Sequence, residues 1–344
     1  MAKLIIRKFG IKTSIILIFI NIFTKTTQKQ NNQNYQRQLA EWRNSLTYNK
    51  DGLSLGDVKQ TFILNSEPTA NISIQSFGNP VTLKKSDAKP CLFWRSGSDT
   101  NGIIAIATYT NLKNSSFTDA NGQTHHIAKI IRTFSNLTQA ESKYSEDFAR
   151  WAISVSWGLP ESYGVGFSGL QISRDPAHGA TFTNASGISV QDEYYDEQGN
   201  RIDPIGGFYV FSSLNYGTAN TGNGYVDIES VNGTGIQMKA VAGSTINVQP
   251  DGRLEASSGN DPEDLGYDWD NNDSPNFYMG SGVGYITNEN PTMRFQVRAN
   301  GSDKCINAFW FTINTNLPSV PVTLKTTEVH YHYDTPSVSL LLYS

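Results

Sequence analysis

The chain has 344 residues, of which 38% are hydrophobic and 17% are charged, and its formal net charge is −4. A charge this close to neutral excludes a global basic field that attracts nucleic acid, although a local basic patch is compatible with it. The low charged fraction, together with plentiful glycine, asparagine, serine, threonine and tyrosine, is typical of a strand-rich extracellular protein rather than a helical cytoplasmic enzyme.

The first 25 residues have the organisation of an export signal. Four basic residues precede an apolar run at residues 14–23. A basic region followed by roughly ten apolar residues is the pattern of a signal peptide, and the run is too short for an ordinary membrane-spanning helix. We interpret residues 1–25 as a signal-like segment and expect export. The alternatives are an uncleaved anchor and an N-terminus altered by a gene rearrangement.

Residues 26–47 predict a polar spacer followed by a short helix. The spacer is rich in glutamine and asparagine, which is typical of a flexible segment. Apolar residues then recur at spacings of four, three and four, at Tyr35, Leu39, Trp42 and Leu46. This is an apolar stripe at heptad spacing. The helix is either docked on the edge of the next domain or the end of a stalk.

From residue 60 onward the pattern is that of short β-strands. Runs rich in β-branched and aromatic residues predict strands at residues 103–110, 127–134, 207–214, 224–231, 235–241, 292–298 and 308–314. Turn signals such as Asn121-Gly122 separate them. One helix is predicted at residues 139–153, where three aromatic residues share a face. Together these elements predict an all-β sandwich with one or two short helices packed on it.

Residues 259–284 place acidic, amide and aromatic side chains between glycines. This composition predicts a long structured loop, and such loops on rigid scaffolds usually carry function. Carboxylates and amides bind sugar hydroxyls, and flat rings stack on sugar faces. The run therefore points to a sugar site.

Within this loop, the sequence from Asp268 to Asp273 resembles the start of a calcium loop, with oxygen ligands at alternate positions. It lacks the glycine and the distal glutamate of an EF-hand. We expect either a different oxygen-rich Ca²⁺ site formed by Asp268, Asp270 and Asp273, or a network of Asx turns in which these side chains cap their own backbone.

Signatures of other chemistry are weak. No Gly-x-Ser-x-Gly motif occurs, and none of the five histidines lies in the context of a catalytic triad. A glycosidase needs two carboxylates about 5–10 Å apart. Asp192-Glu193 and Asp196-Glu197 are candidates, but acidic residues beside a Gly-Asn turn are usually solvated. We predict a non-enzymatic protein, with an extracellular glycoside hydrolase as the less favoured alternative.

The two cysteines, Cys91 and Cys305, have no zinc-binding spacing. They would form a disulfide if their strands are neighbours, a condition that the sequence leaves open.

Several segments, in order along the chain, resemble the glucan-binding protein C domain. The same domain is the variable domain of the streptococcal antigen I/II adhesins and occurs in enterococcal aggregation substance. The matching segments are residues 107–117, 127–131, 173–176, 195–200, 212–215, 268–270, 274–278 and 309–315. The resemblance implies a lectin-like β-supersandwich over residues 48–318, with a ligand groove over one sheet and, in some members, a metal ion near that groove.

The resemblance also bears on the ends of the chain. It identifies the helix at residues 35–46 with the tail of a helical stalk, and residues 319–344 with the start of a linker that we interpret as truncated. No wall-sorting motif is found in the sequence. We expect a secreted or cell-surface protein, or a shortened copy of an anchored parent.

The resemblance further implies a ligand site. Ser213 and Asn215 match a family pair implicated in ligand binding, and two positions apart on a strand they would point to one face. The alternative is a buried hydrogen-bonding pair at a strand end. Trp269 and Tyr278 would stack on sugars or bases, and Asp270 would accept hydroxyl hydrogen bonds. For Trp269 a place in the core is the alternative.

The implied partners are a glucan or other polysaccharide, lipoteichoic acid, a host glycoprotein, or extracellular DNA, and no intracellular nucleic acid. We therefore predict an adhesin domain of a Gram-positive bacterium that acts in adhesion, aggregation or biofilm formation. DNA binding would need a basic stripe, for which the candidates are Lys84, Lys85, Lys129, Arg132, Lys239 and Arg253.

Overall fold

The computed structural model describes residues 52–53, 61–84, 90–119, 121–139, 154, 158–164, 166–217, 227–257, 260, 270, 274, 276–299 and 308–318. All of them lie within one unit, Leu46–Pro321. The predicted signal-like segment, spacer and stalk helix lie outside the described residues, as do the linker at residues 319–344 and all of the helix predicted for residues 139–153 except Gln139.

Short strands form most of the regular structure in the described part of the chain. In chain order they are β1 (Phe62–Ile63), β2 (Asn71–Ser76), β3 (Val81–Lys84), β4 (Pro90–Arg95), β5 (Ile103–Thr110), β6 (Ser116–Thr118), β7 (Thr124–His126), β8 (Lys129–Gln139), β9 (Phe167–Ile172), β10 (Ala180–Thr183), β11 (Ala185–Tyr195), β12 (Arg201–Ile202), β13 (Phe208–Phe211), β14 (Asp227–Thr234), β15 (Ile236–Ala240), β16 (Ile246–Val248), β17 (Leu254–Ala256), β18 (Gly282–Ile286), β19 (Thr292–Ala299) and β20 (Ala308–Phe311). Short 3-10 helices occur at Glu161–Gly164, Pro176–His178 and Phe277–Gly280. Among the described residues, no helix has both the length and the apolar character needed to cross a membrane.

The strands form two large and two small sheets. The nine-stranded sheet has the order β16-β17-β14-β19-β11-β8-β5-β2, with β12 added beside β11. The five-stranded sheet has the order β20-β10-β9-β4-β3, and the small sheets are β13-β18-β15 and β1-β6-β7. All the strand pairs within these sheets are antiparallel, and β2 and β3 each end a sheet in the described part of the chain.

The two large sheets pack face to face over one shared core. On β8, Ile130, Arg132 and Phe134 are buried and alternate with half-buried residues, because successive side chains of a strand point to opposite faces. Across the core, Phe295 of β19 stacks on Phe311 of β20, with ring centroids 3.9 Å apart and an interplanar angle of 13°. These contacts confirm the predicted all-β sandwich.

The prediction of one long loop at residues 259–284 is wrong in its last part. Residues Phe277–Gly280 form a 3-10 helix, and β18 begins at Gly282. The glycines allow this strand to pack closely: a Cβ on Gly282 would lie 2.5 Å from Leu254 Cδ1, and one on Gly284 would lie 2.6 Å from Ile236 Cγ2. These glycines let neighbouring side chains pack closely against the strand and do not form a turn. Composition alone does not distinguish these two uses of glycine.

The predicted surface positions of Asp192 and Arg132 are also wrong. The two residues are directly opposite each other on β11 and β8, and both side chains are fully buried. Strand alternation places both on the core face. Arg132 is therefore removed from any basic stripe on the surface, and Asp192 is not solvated.

Candidate functional site

The loop after β13 carries Ser213 and Asn215. The strand predicted to continue through residue 214 ends at Phe211. Ser213 has a φ of 63°, in the left-handed region that few non-glycine residues adopt. Ser213 and Asn215 therefore do not share a face through strand alternation, as the sequence analysis supposed.

The two side chains nevertheless converge, because both bind Asp270. Ser213 Oγ donates a hydrogen bond to Asp270 Oδ2 at 3.0 Å, and Asn215 Nδ2 donates to the same oxygen at 3.0 Å. Asn215 Nδ2 also donates to the carbonyl oxygen of Ser213 at 3.0 Å. Ser213 is buried, whereas Asn215 and Asp270 are half-buried and reach the surface. The structure thus brings together three of the five predicted ligand-binding residues.

Glu229 on β14 is a member of this cluster that the sequence analysis missed. Its Oε2 accepts a hydrogen bond from the backbone nitrogen of Asn215 at 2.8 Å, and its own backbone nitrogen donates to Asn215 O at 3.0 Å. Glu229 is only 5% exposed. A carboxylate inside the strand pattern of residues 224–231 is the signal that could have identified it, since buried carboxylates require hydrogen-bond partners.

Asn260 also fixes the loop after β13 through hydrogen bonds. Asn260 Nδ2 donates to Leu214 O at 2.9 Å, and its Oδ1 accepts from Tyr216 N at 3.2 Å. Asn260 is fully buried and also donates to Thr245 Oγ1 at 2.5 Å. Because both sides of the loop are held by buried polar groups, the backbone of residues 214–216 is fixed before any ligand arrives.

These bonds orient the Asn215 amide. Its nitrogen has two donor hydrogens, and the two shortest contacts, to Ser213 O and Asp270 Oδ2, use both. In the described part of the chain, no residue donates a hydrogen bond to Asn215 Oδ1. Because an amide oxygen accepts hydrogen bonds from hydroxyl groups, Oδ1 of Asn215 is the atom of this cluster best placed to receive one.

Tyr278 does not have the role predicted for it. It lies in the 3-10 helix Phe277–Gly280 and is 3% exposed. A Cβ on Gly243 would lie 3.4 Å from its ring. A ring that is 3% exposed offers no face on which a sugar can stack. Trp269, the other predicted stacking residue, lies outside the described residues.

The predicted calcium ligands are described only in part. Asp270 is placed as above, while Asp268 and Asp273 lie outside the described residues. Among the residues that the structure describes, no three His, Cys, Asp or Glu side chains are grouped closely enough to hold a metal ion. The carboxylate oxygens of Asp270 are of the hard type that Ca²⁺ prefers, so the donor chemistry fits. The ion itself stays a prediction.

The carboxylates considered for glycosidase chemistry serve the structure instead. Glu193 Oε2 accepts from the Tyr195 hydroxyl at 2.7 Å on the face of β11 opposite to buried Asp192. Asp196 Oδ1 accepts from the backbone nitrogens of Gln198 and Asn200, and hydrogen bonding from Asn200 lowers the pKa of Asp196. Asp192 and Glu193 thus point to opposite sides of one sheet rather than into a common cleft.

Comparisons with known proteins agree with this fold. A family model, glucan-binding protein C, matches residues 159–314. Glucan binding protein C of Streptococcus mutans has a similar structure, with a TM-score of 0.57 and 17% identity over 86% of this chain and 86% of that chain.

The adhesin domain of PrgB from Enterococcus faecalis is also similar. In a structure bound to DNA it has a TM-score of 0.55 and 17% identity over 79% of this chain and 100% of that chain. In a second structure the TM-score is 0.56 at 17% identity, over 83% of this chain and 98% of that chain. The family match contains Ser213, Asn215, Glu229 and Asp270. Residues 159–314 of this chain therefore match the glucan-binding protein C family, as the resemblance predicted.

Proposed function

We propose that this chain is an extracellular adhesin domain that binds a carbohydrate-containing polymer through the cluster of Ser213, Asn215 and Asp270. The comparisons with known proteins support an adhesive role. The family is named for glucan binding, and the similar Streptococcus mutans protein is described as mediating sucrose-independent and sucrose-dependent adherence. The similar Enterococcus faecalis domain is an adhesin domain.

The observation that carries the carbohydrate proposal is the orientation of the Asn215 amide. Its nitrogen is held by Ser213 and Asp270, which leaves Oδ1 as an acceptor without a described donor. A sugar hydroxyl would donate to Oδ1 of Asn215, while Asp270 holds the amide in the orientation that presents this oxygen. Because the amide is held in advance, binding requires little loss of side-chain freedom.

The chemistry of the cluster suits binding rather than turnover. Asp270 Oδ2 accepts from two donors, and Glu229 Oε2 accepts from the Asn215 backbone. Carboxylates engaged in this way hold a loop in place and leave no evident proton donor for a leaving group. We propose a glucan as the ligand class, with lipoteichoic acid and host glycoproteins as the other polymers to test. Trp269 would supply the stacking surface.

Binding of the full chain to immobilised dextran and lipoteichoic acid tests the proposal. Loss of the oriented amide in Asn215→Ala should weaken glycan binding at least about tenfold, since a hydrogen bond to a held group contributes about 1.5 kcal/mol. Asn101→Ala changes an exposed asparagine elsewhere on the sandwich and is the matched control. Equal glycan binding by the wild type and Asn215→Ala would contradict the proposed site.

Extracellular DNA is a second candidate ligand, because the similar PrgB adhesin domain has been seen bound to DNA. Three of the candidates for a basic stripe have described side chains outside the core. Lys129 lies 3.9 Å from the Tyr195 ring centroid, and Lys239 is exposed on β15. Arg253 is paired with Glu255 at 3.0 Å and also with Asp251, which reduces its attraction for phosphate.

Salt separates the two candidates. Binding to DNA through lysines and arginines releases counterions from the DNA phosphates. This release is less favourable at high salt, so the affinity should fall steeply between low and high salt. Binding to a neutral glucan should barely change. Salt-sensitive binding to duplex DNA that is unchanged in Asn215→Ala, with no glycan binding, would replace the carbohydrate proposal by a basic DNA-binding surface.

A further inference from the structure

A groove of about 570 Å³ follows the outer edge of β2. Its lining includes every residue from Thr69 to Ile74, and then Ser76. A site on one face of a strand would be lined by alternate residues, because side chains point to opposite faces in turn. Lining by consecutive residues shows that the groove runs along the edge of β2, where its backbone is accessible.

The opposite wall of the groove comes from the five-stranded sheet. Leu92 of β4 is 1% exposed and belongs to the shared core. Its register partner Thr82 on β3 points to the same side but is exposed. Pro90 completes this wall. Thr82, Pro90 and Leu92 of this sheet line the groove together with β2 of the nine-stranded sheet, so the groove opens between the two sheets.

The hydrogen-bond phase of β2 follows from one contact. Phe77 N donates to Ile104 O at 2.8 Å, and the pairing of β2 with β5 continues without a register shift. In an antiparallel pair, residues alternate between exchanging both hydrogen bonds with the neighbour and pointing both groups away. Asn71, Ser73 and Gln75 therefore bond to β5. The backbone groups of Ile72, Ile74 and Ser76 point out into the groove.

This edge has none of the features that usually protect an edge strand. Natural sheets block their edges with charged side chains, proline, bulges or a covering element. The β2 sequence, Asn-Ile-Ser-Ile-Gln-Ser, contains no proline and no charge, and β2 has no bulge. Within the described residues, no strand pairs with its outer side. An edge left open in this way is a template for strand addition.

The charge of the groove restricts what it accepts. Arg174 is the charged residue among those that line it, and its Nη2 donates to Pro68 O at 2.7 Å. Because that bond uses one of five guanidinium donors, the others remain to bind a carboxylate. Thr69, beside Pro68, also lines the groove, so Arg174 stands at the end where β2 begins.

We propose that this groove binds an extended peptide segment of a partner protein, which adds as a strand to β2 and places an acidic side chain on Arg174. Main-chain hydrogen bonds to Ile72, Ile74 and Ser76 would provide affinity, and Arg174 would provide selectivity. The Asn215 cluster does not line this groove, so the inference is independent of the carbohydrate proposal.

Amide hydrogen exchange of the full-length wild type tests the strand addition directly. The probes are two synthetic peptides of alternating threonine and valine, each as long as β2. One carries an aspartate at its N-terminal end and the other at its C-terminal end. Exchange at Ile72, Ile74 and Ser76 should slow at least about tenfold when one of these peptides is present. Exchange in β16, at the opposite edge of the same sheet, should not change. Unchanged exchange at the three outward amides with saturating peptide overturns the proposal.

Matched variants test the two contacts separately. Ser76→Pro removes an outward N–H without touching the bonds to β5 and should abolish peptide binding, whereas Ser76→Ala should retain it. A control peptide carries asparagine in place of the aspartate. Arg174→Gln should weaken binding of the aspartate peptide about tenfold and leave binding of the asparagine peptide unchanged, while Arg174→Lys should retain part of the preference for aspartate. Equal binding by Ser76→Pro and Ser76→Ala overturns strand addition. Binding of a glucan oligosaccharide here, with no peptide binding, makes the groove a sugar site instead.

Discussion

Arg132 and Asp192 face each other across β8 and β11 and form two parallel hydrogen bonds inside the sandwich. Arg132 Nε donates to Asp192 Oδ1 at 2.8 Å, and Nη2 donates to Oδ2 at 2.7 Å. Further polar atoms of the pair are also used: Arg132 Nη1 donates to Pro176 O, and the Tyr194 hydroxyl donates to Asp192 Oδ2. A buried charge pair is tolerated when its other polar atoms are satisfied in this way.

Removing one member of this pair should destabilise the protein strongly. Asp192→Ala leaves the Arg132 guanidinium buried without its counter-charge, and the free energy of unfolding should fall by about 3–5 kcal/mol. Urea unfolding followed by tryptophan fluorescence measures the change. The double variant Arg132→Met/Asp192→Leu should regain most of the loss. A single variant as stable as the wild type would show that the pair contributes little.

Alkaline pH should unfold the protein through its buried tyrosines. Burial raises the pKa of Tyr109 to about 12, and burial also raises the pKa of Tyr194 and of Tyr209. These folded-state values exceed the unfolded value of about 10. The unfolded chain therefore loses these protons first, and stability is complete below about pH 10 and falls as the pH rises towards 12.

The slope of that loss is measurable. Each such tyrosine should lower the free energy of unfolding by about 1.4 kcal/mol per pH unit in this window. Urea unfolding between pH 9 and 12 should show a shallower decline in Tyr109→Phe than in the wild type. Parallel slopes would mean that Tyr109 ionises equally in both states.

The backbone at Ser213 predicts an unusual order of stability. Its φ of 63° costs an L-residue about 1–2 kcal/mol, a cost that glycine does not have. Ser213→Ala and Ser213→Gly both lose the hydrogen bond to Asp270, but only glycine relieves the backbone. Ser213→Gly should therefore unfold at a higher temperature than Ser213→Ala in calorimetry. The reverse order would show that side-chain packing at this position outweighs the backbone term.

Calcium should stabilise the domain if Asp268, Asp270 and Asp273 bind it. Adding Ca²⁺ after treatment with a chelator should raise the melting temperature, because a ligand of the folded state stabilises it by mass action. Asp268→Asn/Asp273→Asn should abolish the rise and leave the melting temperature without Ca²⁺ unchanged. An equal rise in the wild type and the double variant would remove the site from these residues.

The fold could be predicted from the sequence wherever a strand has a clear pattern. β5 was predicted with the bounds that the structure shows, because Ile103–Thr110 is a continuous run of β-type residues. β18 was missed because its glycines are typical of a loop. In the structure they allow close packing against Leu254 and Ile236, which lie on other strands. The family itself was predicted from ordered motifs and is confirmed over residues 159–314.

The sequence by itself determined the class of the fold, the match to the glucan-binding protein C family over residues 159–314, and the choice of Ser213 and Asn215 as site candidates. Those properties depend on local pattern and on ordered motifs. Only the tertiary structure decided that Ser213 and Asn215 meet Asp270, that Glu229 binds Asn215, that Arg132 and Asp192 are buried, and that the outer edge of β2 opens into a groove. Each of these depends on contacts between residues far apart in the chain, and burial and register are set by the packing of whole sheets rather than by neighbouring residues.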